Sequence, residues 1–103
     1  MEDIKEELEK NVNYVVEIIN NLNEDNVEEF LNNAIDILVI KTLCKNYIDG
    51  FSILISVGNP YIEFRYIRNE AKIIGLWGST EITKNIDVEK ANIVLDYLDN
   101  SEC

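Results

Sequence analysis

The sequence predicts a single α+β domain of residues 1–103, with the element order α-α-β-β-β-α and helices packed on one face of a three-stranded antiparallel meander. Three patterns predict this class: helical spacing of apolar residues over 2–22, three strand-like runs within 51–78, and helical spacing again over 87–99. The expected parts are a helical hairpin (1–48), a β-meander (50–78) and a C-terminal helix (87–99). With 103 residues and 47% hydrophobic content, the chain has enough apolar material for one core.

The first half of the chain predicts two helices. A first helix over 2–22 has apolar residues three or four positions apart, namely Ile4, Leu8, Val12, Val15, Ile19 and Leu22. A second helix is expected over 27–47, with Asn26 and Glu29 as its capping box. Its middle, residues 35–40, is apolar and rich in β-branched residues, so a strand is the alternative there. Helical spacing of the surrounding apolar residues favours the helix, which would then be buried nearly all round.

Two turns predict the register of the meander. A two-residue loop at Gly58-Asn59 sets Phe51 opposite Tyr66 and continues to Ile55 opposite Ile62. A second loop at Asn69-Glu70 sets Tyr66 opposite Ile73, Phe64 opposite Gly75 and Ile62 opposite Trp77. Gly75 would thereby leave room for the Phe64 ring. One face then carries Phe51, Ile53, Ile55, Ile62, Phe64, Tyr66, Ile73 and Trp77, and the helices should cover it.

The end of the chain predicts a connection and a last helix. Residues 79–86 are expected to connect the meander to this helix, with a short edge strand around Ile82. Asp87 is a typical N-cap residue for the helix that follows.

Charge and composition exclude several classes of function. The net charge is −11, distributed as −9 over residues 1–36, +2 over 37–80 and −4 over 81–103. This balance disfavours binding of nucleic acid through a basic patch and binding to anionic membranes. Residues 34–48 are too few and too charged to span a bilayer, and the acidic first residues do not resemble a signal peptide. Cys44 and Cys103 do not form a disulfide framework, which predicts a cytoplasmic protein.

The sequence gives little support for catalysis or for bound cofactors. The chain contains no His, so a reaction would depend on groups such as Glu63 and Arg65, which an ordinary charged sheet surface also explains. Asn21, Asn23 and Asp25 have the spacing of the start of a calcium loop, but the closing Glu is replaced by Asn32. Glu24, Asp25, Glu28 and Glu29 are acids at a helix start, where the helix dipole favours them. We expect no catalytic, metal-binding or cofactor-binding residues.

The second face of the meander is the strongest functional lead. Its apolar side chains alternate with polar ones, which predicts that a protein partner or a second copy in a homodimer covers it. The residues expected to form this interaction surface are Leu54, Tyr61, Arg65, Ile67, Ile74 and Leu76. The competing explanation is that the C-terminal helix folds over this face.

The sequence therefore predicts a small, acidic, soluble interaction or regulatory protein. One alternative is an acidic nucleic-acid mimic, of the kind that mobile elements encode, which blocks a DNA-binding protein. Its carboxylates would be Glu6, Glu7, Glu17, Glu28 and Glu29. A second alternative is an enzyme of unknown reaction that uses Glu63 and Arg65.

Overall fold

Among the residues that the structure describes, the sheet has five strands and carries three helices. The computed structural model describes residues 2–41 and 48–101, without the side chains of residues 2 and 101. The elements are α1 (Glu2–Asn20), α2 (Val27–Asn32), β1 (Asp36–Lys41), β2 (Ile48–Ser56), β3 (Tyr61–Ile67), β4 (Glu70–Trp77), β5 (Thr80–Ile86) and α3 (Val88–Ser101). All neighbouring strands are antiparallel in the order β1-β2-β3-β4-β5, so β3 is central. The α+β class is confirmed, with five strands in place of the predicted three. Cys44 and Cys103 lie outside the described residues.

The predicted helical hairpin is wrong, because α2 is only six residues long and residues 36–41 form a strand. Ile37 pairs with Ile53 and Val39 pairs with Phe51, so both lie on the buried side of the sheet. Leu38, between them, is 64% exposed. β-branched residues fit such a pleated, half-buried strand better than a helix. Residues 42–47 of the predicted helix are not among those described. At the other end of the sheet, the predicted short strand around Ile82 is the seven-residue β5.

The first hairpin of the meander follows the predicted register over most of its length. Phe51 pairs with Tyr66 and Ile53 with Phe64, as predicted. Ile62, however, pairs with Ser56 instead of Ile55, because the register shifts between residues 54 and 56. The connection spans residues 57–60 and is therefore longer than the predicted two-residue loop. The Ser56 hydroxyl donates to the Pro60 carbonyl oxygen at 2.7 Å and closes this loop.

The second hairpin turns one residue earlier than predicted. Arg68 and Asn69 have φ of 54° and 66°, the backbone conformation of a type I′ turn. Phe64 consequently pairs with Ile73, and Ile62 with Gly75. The predicted partners on β4 were wrong by two residues. Since side chains alternate with a period of two, a two-residue shift leaves every side chain on its predicted face.

All three helices pack on the same face of the sheet. Phe51 and Phe64 are fully buried there in an edge-to-face contact with ring centroids 5.2 Å apart. Val12 of α1 and Val94 of α3 belong to the same buried cluster. The C-terminal helix α3 therefore lies on the aromatic face of the sheet, and the competing explanation, in which it folds over the second face, is wrong.

At Gly75, α1 packs directly against the backbone of the sheet. A Cβ atom at this position would overlap with Val12 Cγ2 and would lie 3.2 Å from Leu8 Cδ1. The missing side chain therefore accommodates a helix. The sequence had suggested that this space accommodates the Phe64 ring, but Phe64 pairs with Ile73 instead.

The helix ends show one correct and one wrong capping prediction. Asp87 Oδ1 accepts a hydrogen bond from the Glu89 backbone N–H at 3.0 Å, which confirms it as the N-cap of α3. Asn26 makes no side-chain cap of α2. Its Oδ1 accepts from the Asn23 N–H at 2.8 Å, and its amide donates to the Asn21 carbonyl oxygen at 3.0 Å. The Asn-rich segment therefore hydrogen-bonds within its own loop, because Asn side chains compete with the helix for backbone groups.

Candidate functional site

The face of the sheet opposite the helices is the candidate site, and we call it the open face. It comprises the side chains of β2–β4 that point away from the core: Ser52, Leu54, Tyr61, Glu63, Arg65, Ile67, Lys72, Ile74 and Leu76. The six predicted surface residues all lie here, on three adjacent strands. Within residues 2–41 and 48–101, no helix packs on this side. That they form an interaction surface stays a prediction.

The edge strands extend the open face in two different ways. On β1, Leu38 pairs with Ser52 and Ile40 with Gly50, which places two more apolar, exposed side chains beside the predicted ones. On β5 the corresponding residues are polar and exposed, namely Glu81, Thr83 and Asn85. The apolar part of the face thus runs from β1 to β4. Leu38 and Ile40 were missed because residues 35–40 were assigned to a helix, although their β-branched composition gave a usable strand signal.

A buried carboxylate lies in the middle of this otherwise accessible face. Glu63 on the central strand is only 4% exposed. It accepts four hydrogen bonds: from Ser52 Oγ at 2.6 Å, Tyr61 Oη at 2.9 Å, Arg65 Nε at 2.8 Å and Arg65 Nη2 at 3.1 Å. Tyr61 and Arg65 flank Glu63 at a spacing of two along β3, and Ser52 reaches it from β2. We call these four residues the Glu63 network.

The charge state of the network follows from its hydrogen bonds. Burial acts to raise the pKa of Glu63, but the hydrogen bonds from Arg65, Ser52 and Tyr61 together outweigh it, and the pKa is lowered. The bond to Glu63 raises the pKa of Arg65, while burial and the same carboxylate raise that of Tyr61. At neutral pH the network therefore contains an ionised Glu63, a charged Arg65 and a protonated Tyr61.

This arrangement satisfies the Glu63 carboxylate and fixes the side chains around it. A carboxylate has about four lone-pair positions, and those of Glu63 are matched by four donors from its neighbours. A general acid at neutral pH needs a raised pKa, whereas that of Glu63 is lowered. The network instead fixes the orientations of Tyr61 and Arg65, which remain partly accessible at the surface.

The relief of the open face is shallow. A small depression of about 90 Å³ lies between β1 and β3, beside Leu38, Leu54 and Tyr61. A second depression of about 250 Å³ lies beside Arg65, Ile67 and Arg68. Sites for small molecules usually enclose roughly 300–1,000 Å³ and bury most of the ligand. Both depressions are thus smaller than most sites that enclose a small molecule.

The five carboxylates of the proposed mimic lie on the helical side of the molecule. Glu6, Glu7 and Glu17 are on α1, and Glu28 and Glu29 are on α2; all five are exposed. In the described part of the chain, no three His, Cys, Asp or Glu residues are grouped so that they could hold a metal ion. The segment with the spacing of a calcium loop is held by its own hydrogen bonds. Asn23 Oδ1 accepts from the backbone N–H groups of Asp25 and Asn26 at 2.8 and 3.0 Å.

No helix among the residues that the structure describes combines the length and apolarity needed to cross a membrane. Comparison of the chain with protein-family models, curated proteins and solved structures gave no significant match.

Proposed function

We propose that this protein is a non-catalytic interaction protein that binds another protein, or a second copy of itself, through the open face. The observation that carries the proposal is that one face of a five-stranded sheet holds apolar side chains from four strands with no covering layer from the described elements. An apolar surface of this kind gains free energy when a partner removes it from water. The protein acts in the cytoplasm, since two cysteines do not suit a disulfide-stabilised secreted domain.

The chemistry of the open face resembles that of protein interfaces. Tyr and Arg are enriched among the residues that contribute most to binding, and apolar neighbours around them exclude water. Here Tyr61 and Arg65 are held by Glu63 and lie among Leu54, Ile74 and Leu76. Because their side chains are already oriented, they lose less conformational entropy on binding than free side chains would.

Light scattering and partner recovery with two matched variants test this proposal. In Ile74→Asp a charge replaces an apolar side chain of the open face, whereas Thr83→Asp places the same charge on its polar cross-strand neighbour. If the partner is a second copy, the unchanged protein is a dimer, Ile74→Asp is a monomer, and Thr83→Asp remains dimeric. If the partner is another protein, Ile74→Asp loses it and Thr83→Asp retains it.

The proposal fails if the unchanged protein is a monomer and recovers the same proteins from its host as Ile74→Asp does. Leu54→Asp provides a second position on the same face, in case Ile74→Asp does not fold. Circular dichroism spectra of all variants verify that the fold is retained before binding is compared.

A second candidate function is the acidic mimic, which the exposure of all five helical carboxylates favours. Exposed carboxylates along a helix form a row of negative charges, as phosphates do along a duplex strand. Competition with DNA for a basic host protein would support this function. The competition should disappear when Glu6, Glu7 and Glu17 are changed to Lys, and it should survive in Ile74→Asp.

A further inference from the structure

An apolar groove lies on the helical side of the molecule, away from the open face. It has a volume of about 290 Å³ and is formed by α1, α2 and the end of β2. Apolar side chains supply most of its lining, and Glu29 lies at the groove as well. Its lining includes Ile18, Leu22, Glu29, Phe30, Ala34 and Ile55.

The shortness of α2 leaves this groove uncovered. Since α2 ends at Asn32 and the chain then enters β1, nothing in the described part of the chain fills the space beside the second half of α1. Ile18 is 36% exposed there, whereas Val15 on the same helix and Leu22, just after its end, are buried. Phe30 contacts the core through an edge contact with Phe64, with ring centroids 6.4 Å apart, and also lines the groove. The groove is therefore an apolar surface supported by the core.

The chain around the groove carries only negative charge. Residues 11–36, which form the second half of α1, all of α2 and the start of β1, contain six acidic residues and no Lys or Arg. All six acids are exposed. Lys90 of α3 reaches this region: its Nζ donates to the Leu22 carbonyl oxygen at 3.0 Å, where it interacts favourably with the negative end of the α1 dipole. A positively charged partner is thus attracted to the groove, and a negatively charged one is repelled.

We propose that this groove binds an amphipathic helix of another protein, with apolar side chains on one face and Lys or Arg beside them. A groove between two helices accepts a third helix by the ordinary packing of side-chain ridges into grooves. A volume of about 290 Å³ suits a few anchoring side chains, because it lies at the lower limit for sites that enclose a whole small molecule. The exposed carboxylates around it supply the complementary charge.

A synthetic peptide tests this proposal directly. The probe is a helical peptide of about 15 residues with Leu at positions i, i+3, i+4 and i+7 and Lys on the flanks. Fluorescence anisotropy measures its binding to the full-length protein, and NMR chemical shifts of the labelled protein map the site. We expect the largest shifts at Ile18, Phe30 and Ala34, and weaker binding as salt screens the carboxylates.

Two isoleucines of α1 provide a matched pair of variants. Ile18, in the groove, and Ile4, outside it, are 36% and 40% exposed, so replacement by Asp adds the same charge at similar exposure. Ile18→Asp should weaken peptide binding about tenfold, the loss expected from one apolar anchor, although it makes the protein more acidic. Ile4→Asp should leave the affinity nearly unchanged. If Ile18→Asp does not fold, Ala34→Trp fills the groove and should have the same effect.

Four results would overturn the proposal. These are an absence of binding, equal effects of Ile18→Asp and Ile4→Asp, shifts located at Leu54 and Ile74 of the open face, and equal binding of a peptide in which every Lys is replaced by Glu. Equal effects of the two Asp variants would indicate that the charge of the protein attracts the peptide without use of the groove. The last would show that apolar contact alone selects the occupant.

Discussion

Replacing Arg65 by Met should destabilise the protein by about 2–3 kcal/mol at pH 7, because it leaves the buried Glu63 carboxylate with two of its four hydrogen bonds. Breaking a fully buried ion pair typically costs roughly 3–5 kcal/mol. The expected loss is smaller here because the Arg65 side chain is 43% exposed, although that of Glu63 is only 5% exposed, and solvent screens part of the interaction.

The cost of Arg65→Met should depend on pH. The pKa of Glu63 is lowered in the folded protein, so its contribution to stability is present above the pKa of the unfolded chain and is lost as pH falls through the folded value. Without Arg65, fewer hydrogen bonds offset the burial of the carboxylate, so the pKa of Glu63 rises. The variant then loses less stability on acidification, and its difference from the unchanged protein narrows below about pH 5.

Urea unfolding at pH 7 and at pH values down to about 3.5, followed by circular dichroism, measures this difference. Lys84→Met is the matched control: Lys84 is 39% exposed, but its partner Glu9, at 3.7 Å, is 47% exposed, so the loss should stay below about 1 kcal/mol. Adding Glu63→Gln to Arg65→Met removes the unpaired charge and should restore part of the stability. The reasoning is refuted if Arg65→Met costs no more than Lys84→Met, or if its cost is the same at both ends of the pH range.

Two further predictions concern the fold that supports the site. Gly75→Val should lower the free energy of unfolding by about 1–3 kcal/mol, because the new side chain overlaps with Val12 and Leu8 of α1; unchanged stability in urea would show that α1 does not pack this closely. Asp87→Ala should cost about 1 kcal/mol through loss of the N-cap of α3. Asp99→Ala, an exposed acid within the same helix, should change thermal unfolding little, and equal effects of the two would contradict the capping role.

The faces of the meander could be predicted from the sequence even though some partners could not. Alternation of apolar and polar residues along β2–β4 assigned Phe64 to the core and Glu63 to the open face, and the structure places both there. The exact pairing depended on the turns, where Arg68 and Asn69 both adopt positive φ. Arg is not a residue that indicates such a conformation, so the sequence pointed to the neighbouring position instead.

The candidate site was predicted in the apolar residues of β2–β4, whereas Leu38 and Ile40 of β1 and the burial of Glu63 were missed. Side chains two residues apart on a strand lie on the same face, which is a local property. This alternation placed Leu54, Tyr61, Ile74 and Leu76 on the open face. The Glu63 network depends on Ser52, which meets Glu63 only because β2 and β3 pair in one particular register. Glu63 and Arg65 were recognised as neighbours, but their charge state followed only from burial and the number of donors.

The sequence by itself determined α1, α3, the alternation of the sheet and the excess of acid on the helices, because periodicity, capping and net charge are properties of residues close together in the chain. Only the tertiary structure decided that residues 36–41 form a strand, that α3 covers the aromatic face, and that an apolar groove remains beside Ile18. These features depend on contacts between residues far apart in sequence. Residues 36–41 are rich in β-branched residues and gain more stability as a strand packed beside β2 than they would as an isolated helix. Local propensity does not include this gain from tertiary packing.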